Sequence, residues 1–170
     1  MRKAVYAVMI TGLGISPAVT MALARQAVDA PLILYNPSPS EPVGLYRLSR
    51  AAPMPGQLIA FHVPAPGRAY AAEHLRYLMR GAILKEVAAA PDSTVCVRDG
   101  AVFIEGAKRG LVAQRDRQGA QLPQWKGCRR LAPGELFAFS NRIPNSFDSR
   151  YYGPVQARDV VGVYAPLWTE

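Results

Sequence analysis

The stretch Asn145-Ser146-Phe147-Asp148-Ser149-Arg150-Tyr151-Tyr152-Gly153 sets hydroxyl, carboxylate and guanidinium groups among aromatic rings close to the C-terminus. A solvated surface loop has no need of that density of specific hydrogen-bonding groups, whereas a rigid chemical scaffold does. Two other stretches complement it: Asn36-Pro37-Ser38-Pro39-Ser40-Glu41-Pro42-Val43-Gly44-Leu45-Tyr46, and Ile83-Leu84-Lys85-Glu86-Val87. Together the three supply a serine, a lysine set among apolar residues, and polar support. Those are the groups that a serine–lysine hydrolase requires.

Between these blocks the chain reads as short strands. Leu32 to Tyr35 is an apolar run stopped by the turn signal Asn36-Pro37, and Leu45 to Leu48 alternates. Gly56 to Val63 is a strand ended by Pro64, and Ile83 to Ala88 is a strand carrying Lys85. Thr94–Val97 and Ala101–Ile104 flank Arg98-Asp99-Gly100, which predicts a hairpin with Asp-Gly at its turn. Gly134 to Phe139 and Val160 to Tyr164 complete the strands. Helical spacing occurs from Tyr70 to Met79, with Ala71, Ala72, Leu75, Leu78 and Met79 on one face. Residues 107–132 are polar, rich in Arg, Gln and Gly, and read as an inserted loop or small subdomain. The expectation is a mostly β domain of residues 26–170, with a polar, hairpin-containing insertion over 92–132.

The N-terminus carries a separate signal. Met1-Arg2-Lys3 precedes a run from Ala4 to Ala24 without a charged residue, closed by Arg25. A helix of roughly 20 apolar residues crosses a bilayer. Thr11, Gly12, Gly14, Ser16, Pro17 and Thr20 dilute the run. Residues 1–25 therefore read as an uncleaved membrane anchor, cationic end inside. The alternatives are a cleaved signal peptide, with Ala22-Leu23-Ala24 as its small-x-small site, and a buried helix weakened by Pro17. Either export reading puts Ser40 outside the cytoplasm, and for a bacterial inner-membrane protein in the periplasm. Cys96 and Cys128 are the only cysteines, so in an oxidising compartment they are a disulfide candidate; two buried thiols are the alternative. They cannot build a structural zinc site without histidines, and His62 and His74 are distant in sequence.

With 170 residues, half of them hydrophobic, the chain has enough for one domain with a real core. Fifteen prolines and fourteen glycines favour turns over long helices. The net charge of +8 would suit nucleic acid or anionic lipid, yet the cations are scattered, with no basic helix or aromatic-interleaved RNA motif. No nucleic-acid partner is expected.

Ser40 lies between Pro39 and Pro42, which stiffen the backbone where a nucleophile must be held, and Gly44 permits a close approach or an unusual dihedral. A serine hydroxyl needs a base to take its proton, and neither histidine has a recognisable triad context. A lysine serves only when neutral, which burial favours. Lys85, beside Ile83, Leu84, Val87 and Ala88, has that setting; Lys3, Lys108 and Lys126 do not. The alternative is an ordinary strand lysine facing solvent.

In content and order the three blocks resemble the type I signal peptidase superfamily: Asn-x-Ser-x-Ser-x-Pro-Val-Gly-Leu-Tyr from Asn36, Lys85 followed by Ala90-Pro91-Asp92, then Asn-Ser-x-Asp-Ser-Arg-Tyr-Tyr-Gly-x-Val from Asn145. The Pro-Val-Gly-Leu-Tyr ending is similar to the branch found in plasmid conjugative transfer, the TraF-type peptidases that mature pilin. The resemblance implies a signal-peptidase-like β domain with a small inserted subdomain behind an N-terminal membrane helix. It implies Ser40 as nucleophile, Lys85 as general base, and Ser38 as an oxyanion-hole donor beside the Ser40 N–H. It gives Ser146 the role of orienting the lysine, and Asp148 and Arg150 that of an ion pair bracing their loop. No cofactor or metal is implied. The partners implied are a pilin precursor or other exported preprotein, inner-membrane lipid, and conjugation (type IV secretion) components, with cyclisation of the pilin as a further step. Three positions depart from the pattern: Glu86 where arginine is usual, Pro91-Asp92 without the usual intervening glycine, and Gln57 where aspartate is frequent. Two rival readings are a general leader peptidase and a non-catalytic envelope component of a conjugation or secretion apparatus.

Overall fold

The computed structural model describes residues 30–170. The segment 1–25, read as anchor or signal, lies outside the described residues. The elements, numbered in chain order, are β1 (Ile33–Asn36), β2 (Gly44–Ser49), β3 (Leu58–Phe61), α1 (Ala65–His74), β4 (Ile83–Ala89), β5 (Thr94–Arg98), β6 (Ala101–Ile104), β7 (Ala107–Leu111), β8 (Gly127–Arg130), β9 (Glu135–Ala138), α2 (Ser149–Tyr152), β10 (Val155–Gln156) and β11 (Val160–Thr169). The architecture is mostly β. Seven strands form one sheet in the order β1-β2-β11-β3-β4-β9-β10, and β7-β6-β5-β8 form a second.

The large sheet is buried on both faces at its centre. Ile59 lies opposite Lys85, and Phe61 opposite Ile83, so these four share a face. That face joins the main core, with Val87, Val95, Val102, Leu136, Phe137 and the α1 residues Tyr70 and Ala71. The other face carries Ala60 and Leu84, which pack with Tyr46 and Tyr164. The apolar neighbours of Lys85 in sequence thus divide between two cores, and Lys85 itself turns toward the larger one.

The helix starts and stops earlier than its spacing predicts. Pro64 is the cap of α1 and a proline occupies its first turn, where a missing N–H costs nothing. Leu75 then leaves helical geometry at φ −133°, ψ 46°, and Arg76–Met79 continue as a 3-10 turn. The 70–79 periodicity runs across this break because Leu75 and Leu78 still pack on the core. β11 outruns the expected Val160–Tyr164. It pairs with β3 only as far as Tyr164, so Pro166 falls where β2 is its only neighbour.

The 92–132 stretch builds the second sheet. At the β5–β6 turn Asp99 and Gly100 take φ of 53° and 68°, the mirror-image turn that Asp-Gly favours. Cys96 of β5 faces Cys128 of β8, and the two are joined as a cross-strand disulfide. At the β1–β2 end, Gly44 has φ +150°, and a Cβ there would lie 2.1 Å from the Trp168 carbonyl oxygen. Only glycine fits that approach.

Candidate active site

The loop 37–43 joins β1 to β2 and carries Ser38 and Ser40. One side chain holds it. Asn36, buried at the end of β1, donates from Nδ2 to the carbonyls of Ser38 (2.9 Å), Glu41 (3.2 Å) and Pro42 (3.0 Å). Its Oδ1 accepts from the Ser38 N–H at 3.2 Å. Tyr46 adds its hydroxyl to the Pro42 carbonyl at 2.5 Å. Backbone groups that a loop would otherwise leave to water are therefore paired inside the protein.

This clamp presents Ser40 to β4. Lys85 Nζ donates to Ser40 Oγ at 2.6 Å and to its neighbour's carbonyl, Leu84 O, at 2.9 Å. Ser40 is 2 % exposed and Lys85 5 % exposed. Ser38 Oγ lies 3.0 Å from Ser40 Oγ and accepts weakly from the Ser40 N–H at 3.4 Å. Burial pulls the Lys85 ammonium below lysine's ordinary range; the carboxylates of Asp148 and Glu41 oppose this, and Arg150 assists it. Glu86 is exposed, while Lys85 and Val87 on either side of it are buried, as the strand's period of two requires.

The C-terminal block holds the site from behind. Asp148 caps α2 through the Arg150 N–H (3.2 Å) and takes a two-pronged ion pair from Arg150 Nε and Nη2, both at 2.8 Å. Arg150 also reaches the carbonyls of Leu111 (2.8 Å), Ser140 (3.2 Å) and Ser146 (3.1 Å). Asp148 Oδ2 accepts from the Ser140 N–H at 3.3 Å. Ser140 Oγ in turn donates a short hydrogen bond to the Ser40 carbonyl. A continuous polar chain thus runs Arg150–Asp148–Ser140–Ser40.

The structure brings Ser38, Ser40 and Lys85 within hydrogen-bonding reach, and joins Asp148 to Arg150. It does not bring Ser146 to Lys85. The expected orienting bond is absent: Ser146 Oγ is buried and has no hydrogen-bond partner. Ser146 instead serves through its backbone, whose carbonyl accepts from Arg150. Three contributors have no assigned role in the sequence reading. Asn36 is legible in the sequence, since Asn-Pro-Ser is an Asx-turn signal. Ser140 lies in no motif. Glu41 lies inside one, but nothing local says that its carboxyl is buried. Beside Glu41 and Ser140 opens a cavity of about 740 Å³, also lined by Gln57, Glu86 and Arg142. Among the described residues no group of His, Cys, Asp and Glu is arranged to hold a metal ion.

Residues 4–168 match the family model described as signal peptidase, peptidase S26, and the chain belongs to that family. It is 31 % identical over 144 residues to an Escherichia coli plasmid transfer protein TraF, covering 79 % of this chain and 81 % of the relative. It is 32 % identical over 146 residues to a conjugal transfer protein TraF of Agrobacterium tumefaciens, with the same coverage of 79 % and 81 %. Among solved structures, a signal peptidase I of Enterococcus faecalis matches at 23 % identity with a TM-score of 0.39, covering 68 % of this chain and 98 % of that one.

Proposed function

We infer that this protein is a membrane-anchored serine endopeptidase that uses a Ser40–Lys85 dyad to process an exported precursor in conjugative transfer, the pilin precursor being the favoured substrate. The observation that carries this reading is the 2.6 Å contact from Lys85 Nζ to Ser40 Oγ inside a buried, apolar setting. The neutral Lys85 amine takes the Ser40 proton as Oγ attacks the scissile carbonyl. The resulting oxyanion is held by the Ser40 N–H and the Ser38 hydroxyl. The Lys85 ammonium then passes its proton to the leaving amine. Water, deprotonated by the same lysine, attacks the acyl ester and frees Ser40; a peptide amine in place of water would close a ring.

Membrane location has support of its own in the described residues. Tyr35, Leu45 and Trp168 lie opposite one another across β1, β2 and β11, and Ile33 is two residues along the same face. All four are exposed, Tyr35 at 60 % and Trp168 at 59 %. An apolar, aromatic row of this kind suits the headgroup region of a bilayer. Two of its three strands, β1 and β2, are the first of the domain, consistent with an inner-membrane anchor in 1–25, a periplasmic catalytic domain, and contact with inner-membrane lipid and the conjugation apparatus.

The test is processing of a pilin precursor by the full chain in vesicles. Ser40→Ala and Lys85→Ala should each abolish it, and Lys85→Arg should fail as well, because a guanidinium does not become neutral. Cleavage by Ser40→Ala at the wild-type rate would remove the dyad. Cleavage of many unrelated preproteins with equal efficiency would favour a general leader peptidase.

A further inference from the structure

Glu41 is a buried charged group at the site that the mechanism above leaves without a task. It directly follows Ser40, is 4 % exposed, and lines the cavity beside the nucleophile. Among the described residues no cation lies within ion-pair distance of it. Its Oε1 accepts from the Glu86 N–H at 3.3 Å, so the carboxyl bridges the nucleophile loop to the backbone of β4, one residue from Lys85.

We propose that Glu41 is a positioning residue for the Ser40–Lys85 reaction: its carboxyl ties the nucleophile loop to β4, and its negative charge opposes release of the Lys85 proton. This rests on the dyad reading above. The groups that face Glu41 come from each element packed around it: Lys85 and Glu86 from β4, Ser140 from the segment after β9, and Tyr46 from β2, with Arg142 acting on Tyr46 from the same side. Asp148 and Arg150 act on Lys85 from the remaining side with opposite signs. Burial pushes the Glu41 carboxyl up to about 7, against the pull of Lys85. Near neutral pH its charge is therefore variable, and Lys85 feels the variation. An ionised Glu41 raises the pH at which Lys85 gives up its proton, and a neutral one leaves it alone.

The two parts separate by substitution. Glu41→Gln keeps an oxygen acceptor for the Glu86 N–H and removes the charge; Glu41→Ala removes both. The ascending limb of kcat/KM against pH should move down by about one pH unit in Glu41→Gln, the scale of a nearby opposite charge. Glu41→Ala should lower kcat about tenfold with KM little changed, and Glu41→Gln should restore most of that loss. A limb that stays put in Glu41→Gln overturns the electrostatic part. A wild-type kcat in Glu41→Ala overturns the tethering part. The lysine can also be read without turnover, by NMR titration of the Lys85 side chain in Ser40→Ala and in Ser40→Ala/Glu41→Gln. A downward shift of about one unit between them supports the proposal even if no substrate is cleaved, and an unchanged titration sinks it. An inactive wild type with that shift present would count against the peptidase reading, not against this one.

Discussion

In the proposed dyad Lys85 can serve as a base only by virtue of its surroundings, because a lysine in water keeps its proton until about pH 10.4. Here the strand turns it to the side of Ile59 and Val87, and burial lowers its proton affinity. Activity should therefore rise with pH along a limb below lysine's ordinary value; a histidine base would put the limb near pH 6.5. Glu86, the next residue in the chain, sits on the exposed face of the strand. The carboxylates that act on Lys85 are Asp148 and Glu41, brought from distant parts of the chain. Glu86→Gln should accordingly leave the limb unmoved, a result to be read from kcat/KM profiles on a fluorogenic peptide. Ser38→Ala should slow kcat by about 10- to 1000-fold, the range for one lost oxyanion donor. A loss confined to KM would assign Ser38 to ground-state binding.

At the scale of elements, two small devices hold two loops. Asn36 closes the β1–β2 loop with a single amide, and Asp148 starts the short helix α2 while tying Arg150 and Ser140 together. Asp148 is 0 % exposed and Arg150 2 %, so neither charge can turn to water if the other is removed. Asp148→Ala should cost about 3–5 kcal/mol in denaturant unfolding, the scale for an orphaned buried charge. Asn36→Ala should affect both rate and stability. Three buried or half-buried carbonyls lose a donor, and kcat should fall about tenfold or more as Ser40 loses its fixed position. A kcat equal to wild type would mean that Tyr46 and Ser140 suffice to hold the loop.

For the molecule as a whole, the second sheet is closed by the Cys96–Cys128 bond, which spans 32 residues of sequence. On chain-entropy grounds, losing a cross-link over such a loop costs about 3–4 kcal/mol. Cys96→Ala/Cys128→Ala should therefore unfold at a clearly lower temperature, and an unchanged Tm would show that the sheet packing alone suffices. Stability should also respond to pH through Glu41. Its folded-state affinity for a proton is raised from 4.5 to about 7, so the folded protein binds more protons than the unfolded chain across that window. Stability from this group is full below pH 4.5 and is lost as pH rises to about 7. Lys85 has the opposite sign, because its lowered affinity makes the fold gain stability as pH rises toward 10.5. Denaturation at pH 5 and pH 8 in wild type and Glu41→Gln isolates the first contribution, which should vanish in the variant.

What the sequence determined by itself was whatever depends on neighbours along the chain. Strand runs, the Asp-Gly turn, the prolines around Ser40 and the Asp148-Ser149-Arg150 box are local patterns, and local chemistry selects them. They sufficed for the mostly β class and for singling out Ser40 and Lys85, while the roles of Ser38, Asp148 and Arg150 rest on the resemblance to signal peptidases. Tertiary structure decided everything that depends on which face of a strand meets which loop. It set the end of α1, where Leu75 breaks the helix while the core-facing pattern continues. It left Ser146 Oγ without a partner, and it recruited Ser140 from outside any motif to hold the Ser40 carbonyl. It buried Glu41 beside a lysine that lies 44 positions away in the chain (85 − 41). The reason is one of range: a strand's period says which residues share a face, but burial and charge are set by what the rest of the chain places against that face.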